Sequence, residues 1–162
     1  MSDVMIHYLI VFFVSMVPLI ELRAAVPMAL GFGLPVIPAF IVCIIGNMLP
    51  VPVIFFFARK VLEWGADKRF TKKFFTFCLE KGHHGGQKLK EKTGKGLYFA
   101  LFLFVGIPLP GTGAWTGTLA ASLLEMDFKK SILAVVLGVI LAGTIMGVVY
   151  TCFYELWVLM FA

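Results

Sequence analysis

Two short stretches hold the residues whose chemistry stands out. The first is ELRAAVP, residues 21–27, in which Glu21 and Arg23 interrupt otherwise apolar sequence. A charged side chain inside a bilayer costs about 2.5–3.5 kcal/mol on insertion scales and usually has a functional role. The planar guanidinium of Arg23 can grip a phosphate or another anion through paired hydrogen bonds. Glu21 offers a carboxyl that can exchange a proton or serve as a fixed counter-ion to Arg23, and the spacing leaves both open. Positions i and i+2 do not share a helix face, so the two side chains converge only where the backbone is irregular.

The second stretch is PLPGTGAWTG, residues 108–117, set between LYFALFLFV and TLAASLL. Pro108 and Pro110 break a helix. Gly111, Gly113 and Gly117 leave backbone amides open to close approach. Thr112 and Thr116 add hydroxyls, and Trp115 adds an indole N–H. A helix restarting after the break would present free amides and the positive end of its dipole, which favours an anion. The alternative is that these residues only shape a turn. Asn47 is the third candidate: it is polar within an apolar span, and it serves either a neighbouring helix or a substrate.

These residues point to binding and transport rather than catalysis. There is no phosphate loop ending in GK[ST], no zinc signature and no Ser/His/Asp spacing. His83 and His84 lie in a glycine-rich stretch that suits solvated side chains better than a metal. Cys43, Cys78 and Cys152 are isolated, with neither disulfide nor metal spacing. No cofactor and no metal are expected, and the protein is read as not an enzyme.

The composition says where such a site would lie. Of 162 residues, 60% are apolar and 14% charged, against about 25% charged in soluble domains. With a mean hydropathy of +0.98, this is the composition of an all-α polytopic membrane protein with one membrane domain, 1–162. The start MSDVMIHYL lacks the basic segment and cleavage site of a signal peptide. Of the 14 Lys and Arg, 11 lie between Arg59 and Lys95, and Lys129 and Lys130 add two more. That segregation is a topology signal rather than a nucleic-acid footprint. It places the loop 59–96 in the cytoplasm and the protein in the cell membrane as a multi-pass chain. Phe70, Phe74 and Phe77 recur at helical spacing among lysines, which suggests an amphipathic helix on anionic lipids.

The two halves, 1–58 and 97–162, share a pattern on either side of the 59–96 connector. Each has an apolar run, a polar break, a short apolar run, a turn and a full-length span. Residues 36–58 would reach about 35 Å as a helix, with a kink expected near Asn47, Pro50 and Pro52. Residues 97–107 would reach only about 16 Å, the middle of a bilayer. If 97–124 dips in and returns, Lys129 and Lys130 stay on the cytoplasmic side with the other basic residues. The expected fold is therefore two inverted repeats, each a re-entrant helical hairpin plus a transmembrane helix. The hairpin tips would be ELRAAVP and PLPGTGAWTG, meeting near the midplane, where transporters place their substrates. Irregular backbone at that depth must be buried in protein or line a wet cavity. Gly143 and Gly147 permit close helix contact, either within one protomer or in a homodimer.

At ELRAAVP, GNMLPVP and PLPGTGAWTG the chain resembles the small multidrug export protein family, over most of its length. More distantly it is similar to the DedA membrane protein superfamily. That second likeness implies two opposed re-entrant hairpins, an acidic residue at the position of Glu21, a proline–glycine tip at Pro108–Gly111 and proton-linked movement of polyprenyl phosphate lipids. The arginine usual in the second DedA hairpin is missing from PLPGTGAWTG, and Arg23 is the candidate to replace it. The expected function is a small secondary transporter of an amphipathic, anionic, lipid-like molecule. The alternatives are export of cationic drugs, or a non-transporting role in organising lipids through the basic connector.

Overall fold

The computed structural model describes residues 2–66, 76, 96–109 and 111–161. The amphipathic helix expected around Phe70–Cys78, the pair His83–His84 and Pro110 lie outside the described residues. Among the described residues there are seven helices of ten residues or more and no strand: α1 (Ser2–Met16), α2 (Glu21–Gly31), α3 (Val36–Met48), α4 (Pro50–Ala66), α5 (Gly96–Gly106), α6 (Ala114–Leu123) and α7 (Phe128–Phe161).

Two stretches are long and apolar enough to cross a membrane: Val36–Ala58, which takes in α3 and the start of α4, and Phe128–Met160 in α7. Most of each faces outward. Ile37, Ile41, Ile45, Phe56, Leu133 and Leu137 are exposed, a surface suited to lipid and not to water.

The first break lies earlier than the sequence pattern suggests. Residues 17–20 form the turn, and α2 starts at Glu21, so ELRAAVP is the first part of a helix. Pro18 starts the turn, and Leu19 and Glu21 both have positive φ, 69° and 50°, which redirects the chain before α2 begins. Pro27 sits inside α2. The second break spans 107–113, with Trp115, Thr116 and Gly117 already helical. The kink expected near Pro50 is an interruption at Leu49 between α3 and α4.

Both short helix pairs return to the level at which they began. The His7 ring of α1 stacks on Phe32, just past α2, with centroids 4.2 Å apart. The Tyr98 hydroxyl of α5 accepts from the Asp127 amide, just before α7, at 3.3 Å. Lys130 Nζ lies over the Tyr98 ring at 5.7 Å.

α7 acts as a ruler for this stack. Lys130 stands at the open end of the α5–α6 hairpin. Gly138 packs on Val105 of α5, and Gly143 packs on Leu22 of α2. Tyr150 reaches Gly31, at the open end of the α1–α2 hairpin. From Lys130 to Tyr150 is about 30 Å of helix, one hydrocarbon thickness. Two short helix pairs thus meet at their turns alongside one long helix. The α3–α4 pair runs the same distance on the other flank. From Val36 it reaches Phe55, which meets the Phe128 ring at 5.1 Å and whose carbonyl accepts from the Ser122 hydroxyl at 2.7 Å, and α4 continues beyond to Ala66.

The packing follows one scheme in both halves. α1 packs on α3 as α5 packs on α7, and α2 packs on α7 as α6 packs on α4. Matching glycines allow it. A methyl group on Gly46 would stand 2.5 Å from the Phe12 carbonyl, and one on Gly138 would stand 2.9 Å from the Phe102 carbonyl. Small residues at such contacts let helix backbones approach where no water drives them together.

Candidate functional site: the contact between the two tips

The site forms where the first turn of α2 meets the loop before α6. α6 begins at Gly113, which has no side chain with which to cap its own helix, and no other side chain of its own segment does so. The leading amides of a helix need acceptors. Glu21 supplies them from the facing hairpin: its Oε2 accepts from the Ala114 amide and its Oε1 from the Trp115 amide, each at 3.0 Å. The carboxyl is 4% exposed. It therefore sits in a dry site with both oxygens bound and the positive end of the α6 dipole before it.

Gly113 makes this approach possible. Its φ of 141° is outside the range of other residues, and a Cβ there would overlap the Glu21 carboxylate. Gly111, at φ 83°, is required by the backbone alone, since a Cβ there would meet open space.

Arg23 reaches the other side of the same loop. Its Nη1 donates to the Leu109 carbonyl, and its Nη2 donates to Thr112 Oγ1 at 2.7 Å. Thr112 Oγ1 lies 2.9 Å from both the Ile107 and the Leu109 carbonyls, so its single proton binds one of them. The Leu109 carbonyl thus accepts both from the Thr112 amide of its own loop, at 3.2 Å, and from Arg23 across the interface. Arg23 Nε is buried with no hydrogen-bond partner among the described residues.

The expected convergence of the two tips is present, and its form differs from an open anion site. The anion on the α6 amides is the chain's own Glu21, and the guanidinium is held by a carbonyl and a hydroxyl. Glu21, Arg23, Thr112 and Gly113 come together in this contact; Gly111 shapes the loop, and Pro108 lies in it. Trp115 contributes its amide, while its buried indole Nε1 has no partner among the described residues. Thr116 Oγ1 lies 3.4 Å from the Gly113 carbonyl. Both Trp115 and Thr116 line an apolar cavity of about 410 Å³ against Leu19, Phe57 and Val61. Asn47 stands apart in α3, 1% exposed, with Oδ1 unpartnered among the described residues.

The sequence reading missed the Leu109 carbonyl and the Ala114 amide, since backbone groups carry no residue signature. One signal was available: a helix that opens on glycine needs an acceptor from elsewhere, and the only acid in the apolar part of the first half after Asp3 is Glu21. Among the described residues no group of three or more His, Cys, Asp or Glu side chains could hold a metal.

Helices throughout the described residues, two of them long and apolar, and an apolar exterior are those of a membrane protein. Residues 21–145 match the family described as "Putative small multi-drug export protein", and the chain belongs to that family. The match begins at Glu21, just after the first turn, and takes in Arg23 and the whole of the second tip. No curated protein matches the chain, and no solved structure does.

Proposed function

We propose that the protein is a small secondary transporter, an exporter in the sense of its family description and not an enzyme. In this reading it is a multi-pass protein of the cell membrane with the 59–96 connector in the cytoplasm. The two hairpins are re-entrant, enter from opposite faces and form an inverted repeat. The half-length hairpins, the matched packing and the 30 Å run of α7 from basic to aromatic residues support this arrangement.

The observation that carries the functional reading is that Glu21 holds both leading amides of α6. The contact is a latch closed at mid-depth. Protonation of Glu21 weakens its hold on those amides, since a neutral carboxyl is a poorer acceptor. An anionic head group can then take its place, with the α6 amides on one side and Arg23 on the other. The substrate is accordingly an amphipathic anion such as a polyprenyl phosphate, and its movement is linked to a proton. A distant resemblance of these stretches to the DedA superfamily, itself part of this proposal, would imply both points.

The test is flux in proteoliposomes of a polyprenyl phosphate, its neutral alcohol and a quaternary ammonium drug, with and without a pH gradient. The phosphate is expected to move fastest, with gradient dependence lost in Glu21→Gln. Faster movement of the ammonium compound, abolished in Glu21→Gln, would establish cationic drug export instead. No protein-dependent flux of any of the three would reject the transporter.

A further inference from the structure

An apolar groove of about 490 Å³ runs between α2, α3 and α7, away from the latch contacts. Its walls include Val26, Leu30 and Phe40, with Thr144, Gly147 and Thr151 along α7. Both threonine hydroxyls are turned into their own helix: Thr144 donates to the Ile140 carbonyl at 2.8 Å and Thr151 to the Gly147 carbonyl at 2.9 Å. The walls thus ask no hydrogen bond of an occupant.

Shape decides what fits. The groove follows α7 from Gly143 to Cys152, about 13.5 Å of helix, which is close to half the hydrocarbon thickness. Its volume of about 490 Å³ spread over that length leaves a mean cross-section of roughly 36 Å², against roughly 80 Å² for a helix 10 Å across. A single hydrocarbon chain fits within that section, which a whole helix does not. The two glycines of α7 differ here. Gly143 is filled by Leu22 and Phe40 of the same protomer, while a methyl group on Gly147 would meet only Val26, at 3.9 Å. Gly147 therefore leaves the groove open on this face of α7.

The groove also has a polar end. Val26 lies three residues after Arg23 on α2, and side chains at that spacing are neighbours. The tail groove begins one turn along α2 from Arg23.

We infer that this groove holds the single hydrocarbon tail of an amphiphile whose anionic head sits at the latch, an assignment that rests on the transporter reading. The tail lies along α7 within one leaflet and ends near Thr151. In a bilayer an apolar tail gains nothing by leaving lipid, so residence depends on close contact with the walls.

The test uses the whole protein in nanodiscs and an alkyl monophosphate with a diazirine at the end of its chain. Labelling is expected at 147–152, saturable by unlabelled alkyl phosphate. Gly147→Phe, whose ring would fill the groove, should lower it severalfold by removing wall contacts and move the labelled residue toward Gly143. Gly147→Ala, whose methyl group has room, should label as the native chain does. Labelling spread evenly over lipid-facing Leu133 and Leu137 and indifferent to Gly147→Phe would overturn the assignment. So would disulfide-linked dimers of Gly147→Cys, which would make a second copy the occupant. An alkyl alcohol probe that labels 147–152 as strongly as the phosphate would keep the tail groove and refute the anionic head, which separates this failure from that of the transport reading.

Discussion

The two tips solve one problem by opposite means. A chain that reverses in apolar surroundings must satisfy the backbone groups freed at the turn. The first tip turns with ordinary residues, Leu19 at φ 69° and Glu21 at φ 50°, and carries two charges. The second turns on glycine at 111 and 113 and carries no charge. The charged tip spends its side chains on the other tip's backbone: Glu21 on two amides, Arg23 on a carbonyl. Neither tip is complete alone. The difference shows that charge in the first half and glycine in the second are two parts of one contact.

The largest expected effect comes from removing the fit between them. Gly113→Ala forces a side chain into φ 141° and into the Glu21 carboxylate. Strain of about 1–3 kcal/mol adds to the loss of buried charged hydrogen bonds, about 4 kcal/mol or more in all. Thermal unfolding in detergent should show it; a loss below about 1 kcal/mol would mean that the second tip reshapes freely and the comparison fails.

Next comes the acid itself. Glu21→Ala leaves the Ala114 and Trp115 amides without their acceptor, at about 2–4 kcal/mol for the pair. Glu21→Gln keeps an acceptor for one amide and should lose about half as much. Hydrogen exchange at these two amides should rise in the same order. Protection unchanged in Glu21→Ala would show that the amides do not depend on the first tip.

The smallest effects separate backbone from side chain. Leu19 is 70% exposed, so Leu19→Gly loses little packing and relieves a left-handed residue, for a gain of up to about 1 kcal/mol. Gly111→Ala, with open space around it, should lose about 1 kcal/mol through φ alone. Equal signs for the two would contradict the assignment of strain to the first tip and freedom to the second.

Much of this was legible in the residues. The short run 97–107 announces a helix of that length, α5 at Gly96–Gly106, because the proline–glycine break after it ends any helix. Glu21 and Arg23 stand out because charge is rare in such sequence. The first break was displaced by several residues because ELRAAVP looks polar, and polarity is a poor guide to where a helix starts. Leu19 gives no sign of positive φ, since only glycine advertises that freedom. The partner of Arg23 was hidden because a carbonyl at Leu109 is common to every residue type. The groove beside α7 escaped notice because a cavity is made of what its walls lack.

The interruption at Leu49 has a mechanical meaning. Pro50 and Pro52 have no N–H, so the helical bonds to the Gly46 and Met48 carbonyls are absent midway along one long flank. The other flank, α7, runs unbroken for 34 residues. α3 packs on the first hairpin and α4 on the second. The molecule is thus built like a pair of jaws on one rigid axle, with the opposite strut jointed at the height of the bite. A displacement of one jaw against the other is most easily taken up at Leu49, where proline has already removed two of the helical hydrogen bonds.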